Sequence, residues 1–384
     1  MAGRGDDIRG LRGGPKRYGR QRARQRHRVL AHPVLAYLIL ALAILVSGAV
    51  NAAETCATPR DMGGFRTCAD VDQAEKEGTM VLYSTSPETN SAALLAAFHK
   101  AFPRISPDYV RLQAGALYAK ILAERRASVH PVDALQMSDM GLALDFQRRD
   151  GWMLYNSPEH AAYKSDQKSR PEGYWAWGTI GMVGIAYNAT LVPADEAPKN
   201  WPDALDPRWT NSITVKTANA GVQHDTWYAL RRLYGDEYWK KFASLKPKAF
   251  DSWVQQFGRC VDGQDMIIHS AGYSSYLQMK AKGAPLSFNF PPDGMPVDVS
   301  AIGIVADAPH PQAARLFMDW LLGVPGQTAL VEEAYSYSAR EDVHPPEGGV
   351  PISTMKLLYP EDWETFEKSH PAFVRDWKRI TGMP

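Results

Sequence analysis

Cysteine is scarce, net charge is nearly absent, and only one apolar run is long enough to consider as a membrane span. Three cysteines in 384 residues exclude a disulfide-stapled miniprotein, and the single apolar run excludes a multi-pass membrane protein. The catalytic signatures GxSxG, HExxH, the P-loop and GxGxxG are all missing, which argues against the common exported hydrolases and nucleotide enzymes. Repeats of fixed period are missing too, so a solenoid or propeller has no footing. What the chain does have is apolar matter: 45% of residues are hydrophobic and 10% aromatic, enough to bury a sizeable core and to exclude a disordered chain.

The formal charge of +1 hides an asymmetry. Residues 1–28 carry ten basic side chains, among them Arg20, Arg22, Arg24, Arg26 and Arg28, against only Asp6 and Asp7. That block runs into VLAHPVLAYLILALAILVSGAV, whose apolar core after Pro33 has the length of a signal-peptide h-region. Small residues follow at Ala49, Ala52 and Ala53, so residues 1–53 read as a signal peptide cleaved near Ala52 or Ala53. An uncleaved anchor over the same run is the alternative. Without the leader, 33 basic residues face 40 acidic ones, which removes the support for nucleic-acid binding. In the oxidising compartment such a leader implies, Cys56 and Cys68 enclose a short loop and favour a disulfide, leaving Cys260 as a buried thiol.

Periodicity predicts alternating strands and helices: TMVLYST before the helix SAALLAAFHKAF, Tyr109–Leu112 before GALYAKILAERRA, and VDALQMSD before LALDFQRR. That alternation implies a parallel-type α/β sheet with a ligand outside the carboxyl ends of its strands, where Ser84, Thr85, Ser86, Ser138 and Asp139 stand. A long strand, YWAWGTIGMVGIAYN, then leaves the first lobe, and the alternation resumes with NSITVK, DTWYALRRLYG, DMIIHS and SSYLQMKAKG. The crossing segment VDVSAIGIV, the helix HPQAARLFMDWLLG, a further helix near Pro325 and a Pro-rich tail complete the chain.

The stretches VLYSTSPE, WGTIGMVGIAYN, YLQMKAKGAP and above all APHPQAARLFMDWLLGVPGQTAL resemble the periplasmic solute-binding proteins of ABC importers, in the group that contains the ferric-ion-binding proteins. The resemblance implies a type II periplasmic binding fold: two α/β lobes joined by two crossing segments, with ligand held in the cleft between them. The first lobe would take residues 54–180 and 301–384, the second 181–300. It further implies a monomeric receptor without cofactor that delivers its solute to a membrane permease.

In the family's ferric binders two adjacent tyrosines hold the metal. Here that stretch reads Gly272-Tyr273-Ser274-Ser275-Tyr276, so Tyr273 matches the first tyrosine, a serine replaces the second, and Tyr276 follows one helical turn later. An organic or anionic solute is therefore the first expectation and ferric iron the alternative. Trp177 is a candidate stacking surface, and Lys216, Thr217 and Asn219 stand where the family's second-lobe loop meets ligand, Lys216 pointing to a negatively charged solute. Each also has an ordinary role open to it: packing for Trp177, Tyr273 and Tyr276, an exposed lysine for Lys216, helix capping for the serines. A periplasmic sensor and an exported enzyme remain the rival classes.

Overall fold

The computed structural model describes residues 56, 58–218 and 221–384. The leader, its cleavage point and Asn219 lie outside them. Cys56 and Cys68 are bonded, and Cys260 is a buried thiol.

A two-strand hairpin, β1 (Arg60–Asp61) and β2 (Arg66–Thr67), leads into α1 (Val71–Glu77). Asp70 caps α1 by accepting from the Gln73 N–H, and Gly78 ends it at φ 70°, a left-handed turn that costs glycine nothing. Three βα units follow: β3 (Thr79–Ser84) with α2 (Glu88–Ala101), β4 (Ser106–Arg111) with α3 (Ala114–Arg126), and β5 (Ala134–Met137) with α4 (Met140–Arg148). These strands run parallel, as the alternation predicts. The long strand β6 (Ala176–Asn188) then leads away, followed by β7 (Ile213–Lys216), α5 (Gly221–Ser244, broken at Gly235), β8 (Lys248–Phe250) and α6 (Trp253–Val261). Next come β9 (Ile267–Gly272), α7 (Tyr273–Ala281) and β10 (Leu286–Asn289). The chain returns along β11 (Met295–Ile304) to α8 (Pro311–Leu322), α9 (Val324–Ala334), β12 (Leu357–Leu358) and α10 (Trp363–Thr381).

The strands join in the order β4-β3-β5-β11-β6-β9-β7-β8, with β10 on β6 and β12 on β11. The sheet is mixed, not purely parallel, because both crossing strands, β6 and β11, are antiparallel to each other and to their neighbours β9 and β5. Two strands that carry the chain out and back must run in opposite senses. Each lobe buries its own core. In the first, Phe98 meets Phe317 and Trp320 at 5.2 and 5.3 Å between ring centroids. In the second, Trp227 stacks on Trp239 at 5.0 Å.

The C-terminal segment, read from sequence as a Pro-rich tail, instead forms the 19-residue α10 with Pro371 inside it. Residues 301–384 were assigned to the first lobe, yet Phe373, Trp377 and Met383 are buried in the core of the second, with Trp377 5.5 Å from Trp239. The other side of α10 meets α4, where Glu367 lies on Gly141; a Cβ there would come within 2.5 Å of the Glu367 side chain. The helix therefore touches both lobes.

The run VPGQ has a packing reason. A Cβ on Gly326 would stand 2.4 Å from the Leu321 Cα and the Trp320 carbonyl, while Gln327 donates to the Leu321 carbonyl and accepts from the Ser338 hydroxyl. Gly326→Ala forces α8 and α9 apart and should lower stability by about 1–3 kcal/mol in urea unfolding. An unchanged midpoint would show that the helices yield without cost.

Candidate functional site

The loops that leave β3, β5 and β9 converge over the crossing strands, at the carboxyl ends where ligands of open α/β sheets bind. At the end of β3 the Ser84 hydroxyl is fully buried; it donates to Gln136 Oε1 at 2.7 Å and accepts from the Ser86 N–H at 3.0 Å. Gln136 Oε1 also receives the Ser86 hydroxyl at 2.9 Å, which fixes the amide so that its Nε2 donates to Ser300 Oγ at 3.1 Å. Ser300 and Thr179 share a further bond of 2.7 Å. This chain of hydroxyls and one amide crosses β3, β5, β11 and β6, and it holds the floor of the cleft in one arrangement. Above it the Ser138 N–H donates to the Thr85 hydroxyl at 3.0 Å, tying two loops together.

The cavity so formed holds about 200 Å³, room for a hydrated ion or a small solute. Thr85, Ser86, Ser138, Asp298 and Ser300 line it, and the second lobe adds Ser274 and the indole of Trp253. Gly272 lets that indole lie flat against the end of β9, since a Cβ there would come within 2.7 Å of the ring. α2 and α7, which begin after Pro87 and Gly272 at the cavity wall, have no side-chain N-cap; in α2 the Asn90 N–H donates to the Pro87 carbonyl at 3.0 Å.

Of the other residues singled out from sequence, Ser84 sits behind the wall and Asp139 caps α4 through the Leu142 N–H at 2.8 Å. Trp177 is fully buried with its ring edge-on to Tyr359. Lys216 donates to the Asp251 carbonyl with its ammonium 4.7 Å above the Trp253 ring, and Thr217 donates to the Asp251 carboxylate, so neither lines the cavity. Burial lowers the Lys216 ammonium to about 8. Tyr273 is turned away from the cleft: it packs among Tyr276, Phe288, Phe290 and Tyr337, and its hydroxyl donates to the Glu347 carbonyl at 2.8 Å. Tyr276 stacks on it at 5.6 Å.

Sequence reasoning passed over Gln136, Thr179, Asp298, Ser300 and Trp253. The signal for two of them was legible: in VDVSAIGIV the polar residues Asp298 and Ser300 stand two apart in an otherwise apolar strand, and so share a face.

Electrostatics set Asp298 apart. Asp225 of α5 feels the charges of Asp298 of β11, Glu367 of α10 and Asp139 at the junction of the lobes, while Arg148 and Lys368 line the pocket beside Asp139 and Glu367. Burial first, then the charges of Asp298, Glu367 and Asp139, raises the Asp225 carboxyl well above the usual range; burial raises Asp298. Burial and Asp139 raise Glu367 to about 7, against the pull of a bond from the Gly141 N–H. Among the described residues, no set of three or more His, Cys, Asp or Glu side chains is placed to hold a metal ion. No described helix is long and apolar enough to cross a membrane.

Residues 151–357 match the profile of the bacterial extracellular solute-binding proteins. The iron uptake protein A1 of Synechocystis is 25% identical over 224 residues, which are 53% of this chain and 59% of that protein. The structure of iron-bound HitA from Pseudomonas aeruginosa superposes with a TM-score of 0.65 at 19% identity, over 78% of this chain and 99% of that one. The periplasmic binding protein AfuA of Actinobacillus pleuropneumoniae, solved with fructose-6-phosphate, gives 0.64 at 17% identity over 80% and 99%. The profile covers more than half of the sequence and these folds share its two lobes; the chain belongs to the bacterial extracellular solute-binding protein family.

Proposed function

We propose that this protein captures a cationic solute in its cleft and delivers it to the permease of the importer, and that a hard metal ion, ferric iron first, is that solute. The observation that carries this reading is Asp298, a cavity-lining carboxylate whose charge reaches the buried Asp225, which also feels Glu367 and Asp139. The summed charge of such a cluster draws a multivalent cation toward Asp298, although in this arrangement the carboxylates do not form one ligand set. The names of HitA and the Synechocystis relative support iron over the organic anion first expected, and the ammonium of Lys216, which favoured an anion, is turned to Asp251. The carboxylates come from both lobes, so closure of the cleft changes their spacing. Thr85, Ser86 and Ser138 would add neutral oxygens, and the uncapped first turns of α2 and α7 would receive an anion that accompanies the metal.

Because Tyr273 lies in the core, Tyr273→Phe should leave ferric affinity within about twofold and cost about 1 kcal/mol of stability through the lost bond to Glu347. A tyrosinate charge-transfer band that disappears in this variant would instead place Tyr273 on the metal. A small organic cation is the second reading, favoured by the Trp253 indole on the cavity wall. Thermal-shift titration with ferric citrate, putrescine and fructose-6-phosphate decides among them. Stabilisation by the sugar phosphate alone would overturn both cationic readings.

A further inference from the structure

A second cavity, about 1010 Å³, shares no lining residue with the cleft. It opens between the first-lobe loop that carries Lys168 and Arg170, the α5 surface at Tyr228 and Arg232, and the segment 356–364. Its walls are amphipathic. Tyr228, Tyr359 and Trp363 are half-buried and expose ring surface, and Leu233 and Leu357 lie among them. Behind Tyr359 stands the buried Trp177, at 5.1 Å and nearly perpendicular, so that wall is rigidly backed.

The lining carries four cations and four carboxylates, and they differ in how far their hydrogen-bonding capacity is already used. Glu361 is paired with Arg232 at 2.9 Å, and Glu364 with Lys368 at 2.7 Å. Asp166 accepts the Tyr359 hydroxyl at 2.6 Å, and Asp362 caps α10 by accepting the Glu364 N–H at 3.0 Å and the Thr365 N–H at 3.2 Å. Lys168 is bound to Glu172 at 3.2 Å and to the His160 carbonyl at 3.1 Å. The guanidinium of Arg170 and the ammonium of Lys356 have no hydrogen bond or ion pair among the described residues, and both are exposed. Every carboxylate on the wall is hydrogen-bonded or paired, though Asp166 and Asp362 keep their charge, whereas Arg170 and Lys356 have all their side-chain donors to spare.

From this we infer a second binding site, one that takes an amphipathic organic anion: a carboxylate, sulfate or phosphate on a planar or apolar body. Arg170 and Lys356 receive the charged group, Arg170 with the forked donors that match an oxyanion. The rings of Tyr228, Tyr359 and Trp363 cover the body, where burial of apolar area supplies most of the affinity. Neither inorganic phosphate nor a neutral arene satisfies both halves. The walls come from both lobes and from the C-terminal segment, so the occupant touches all three.

The test uses the whole exported protein and 1-naphthyl phosphate as probe, followed by its fluorescence anisotropy, with 1-naphthol and inorganic phosphate as competitors. Saturable binding is expected, at least about tenfold weaker in the Arg170→Gln, Lys356→Gln double variant, and each competitor should show an inhibition constant at least about tenfold above the Kd of 1-naphthyl phosphate. Lys356→Arg should keep the wild-type affinity, which separates loss of charge from loss of fold. Ferric titration of the double variant should match the wild type, because neither residue lines the cleft. Equal affinity in wild type and double variant, displacement by 1-naphthol as effective as by the phosphate ester, or no saturable binding would each overturn the assignment.

Discussion

Asp298→Asn should weaken ferric binding at pH 7.5 by at least about 100-fold in isothermal titration, a loss of about 3 kcal/mol. The size follows from its position. Asp298 is the cavity-lining member of the carboxylate cluster, and an amide in its place keeps the shape and one oxygen but neither charge nor metal affinity. The same substitution should raise the melting temperature of the metal-free protein at pH 7.5, since it removes one of several like charges from a poorly solvated junction. Loss of affinity together with gain of stability is the signature of a binding residue held against its own electrostatics. A variant that binds normally sinks the cationic reading, and one that loses both binding and stability shows that Asp298 is structural.

The carboxylate junction should also contribute more stability to the metal-free protein near about pH 5 than near about pH 8, the reverse of the acid sensitivity usual when carboxylates are paired. In the unfolded chain Asp225, Asp298 and Glu367 titrate at about 4. In the fold all three are raised, Glu367 to about 7. Between those limits these groups bind more protons in the folded state than in the unfolded one, so their contribution is greatest below the unfolded value and falls as pH rises through the folded one. The buried His160, His224 and His269 act in the opposite sense below about pH 6.5, since burial lowers them to about 4, 3 and 3 in the fold while the unfolded chain charges them. Glu367→Gln should flatten the decline by about 2–3 kcal/mol. Ferric ion should flatten it as well, because a bound cation does for the carboxylates what protons do at low pH. Urea melts at a series of pH values measure both, and identical slopes for wild type and Glu367→Gln would reject the coupling.

Much of the fold was legible because strand and helix have different periods and caps mark their ends. The helix read as DTWYALRRLYG ends at Gly235, where the structure breaks with φ 69°. α10 was not legible, since proline at 371 argues locally against a helix that tertiary burial of Phe373 and Trp377 overrides. The site was read unevenly for a related reason. Thr85, Ser86 and Ser138 follow strand ends, and position alone brings them to the cavity. Tyr273 also follows a strand end, yet its side-chain direction depends on the packing of Phe288, Phe290 and Tyr337, which lie far along the chain. The carboxylate cluster was out of reach because its members come from four elements between residues 139 and 367.

A two-strand hinge by itself would let the lobes swing with little resistance. Here α10 is seated on α4 through Glu367 and Gly141, and on α5 through Phe373 and Trp377. Any swing must slide the helix over one of these seats, a shear of packed side chains rather than a free rotation. The affinity measured at equilibrium is the intrinsic affinity scaled by the fraction of molecules in the binding-competent arrangement, so the cost of that shear enters it directly. Substitutions that loosen either seat, at Gly141 or at Phe373, change the apparent affinity without touching the ligand.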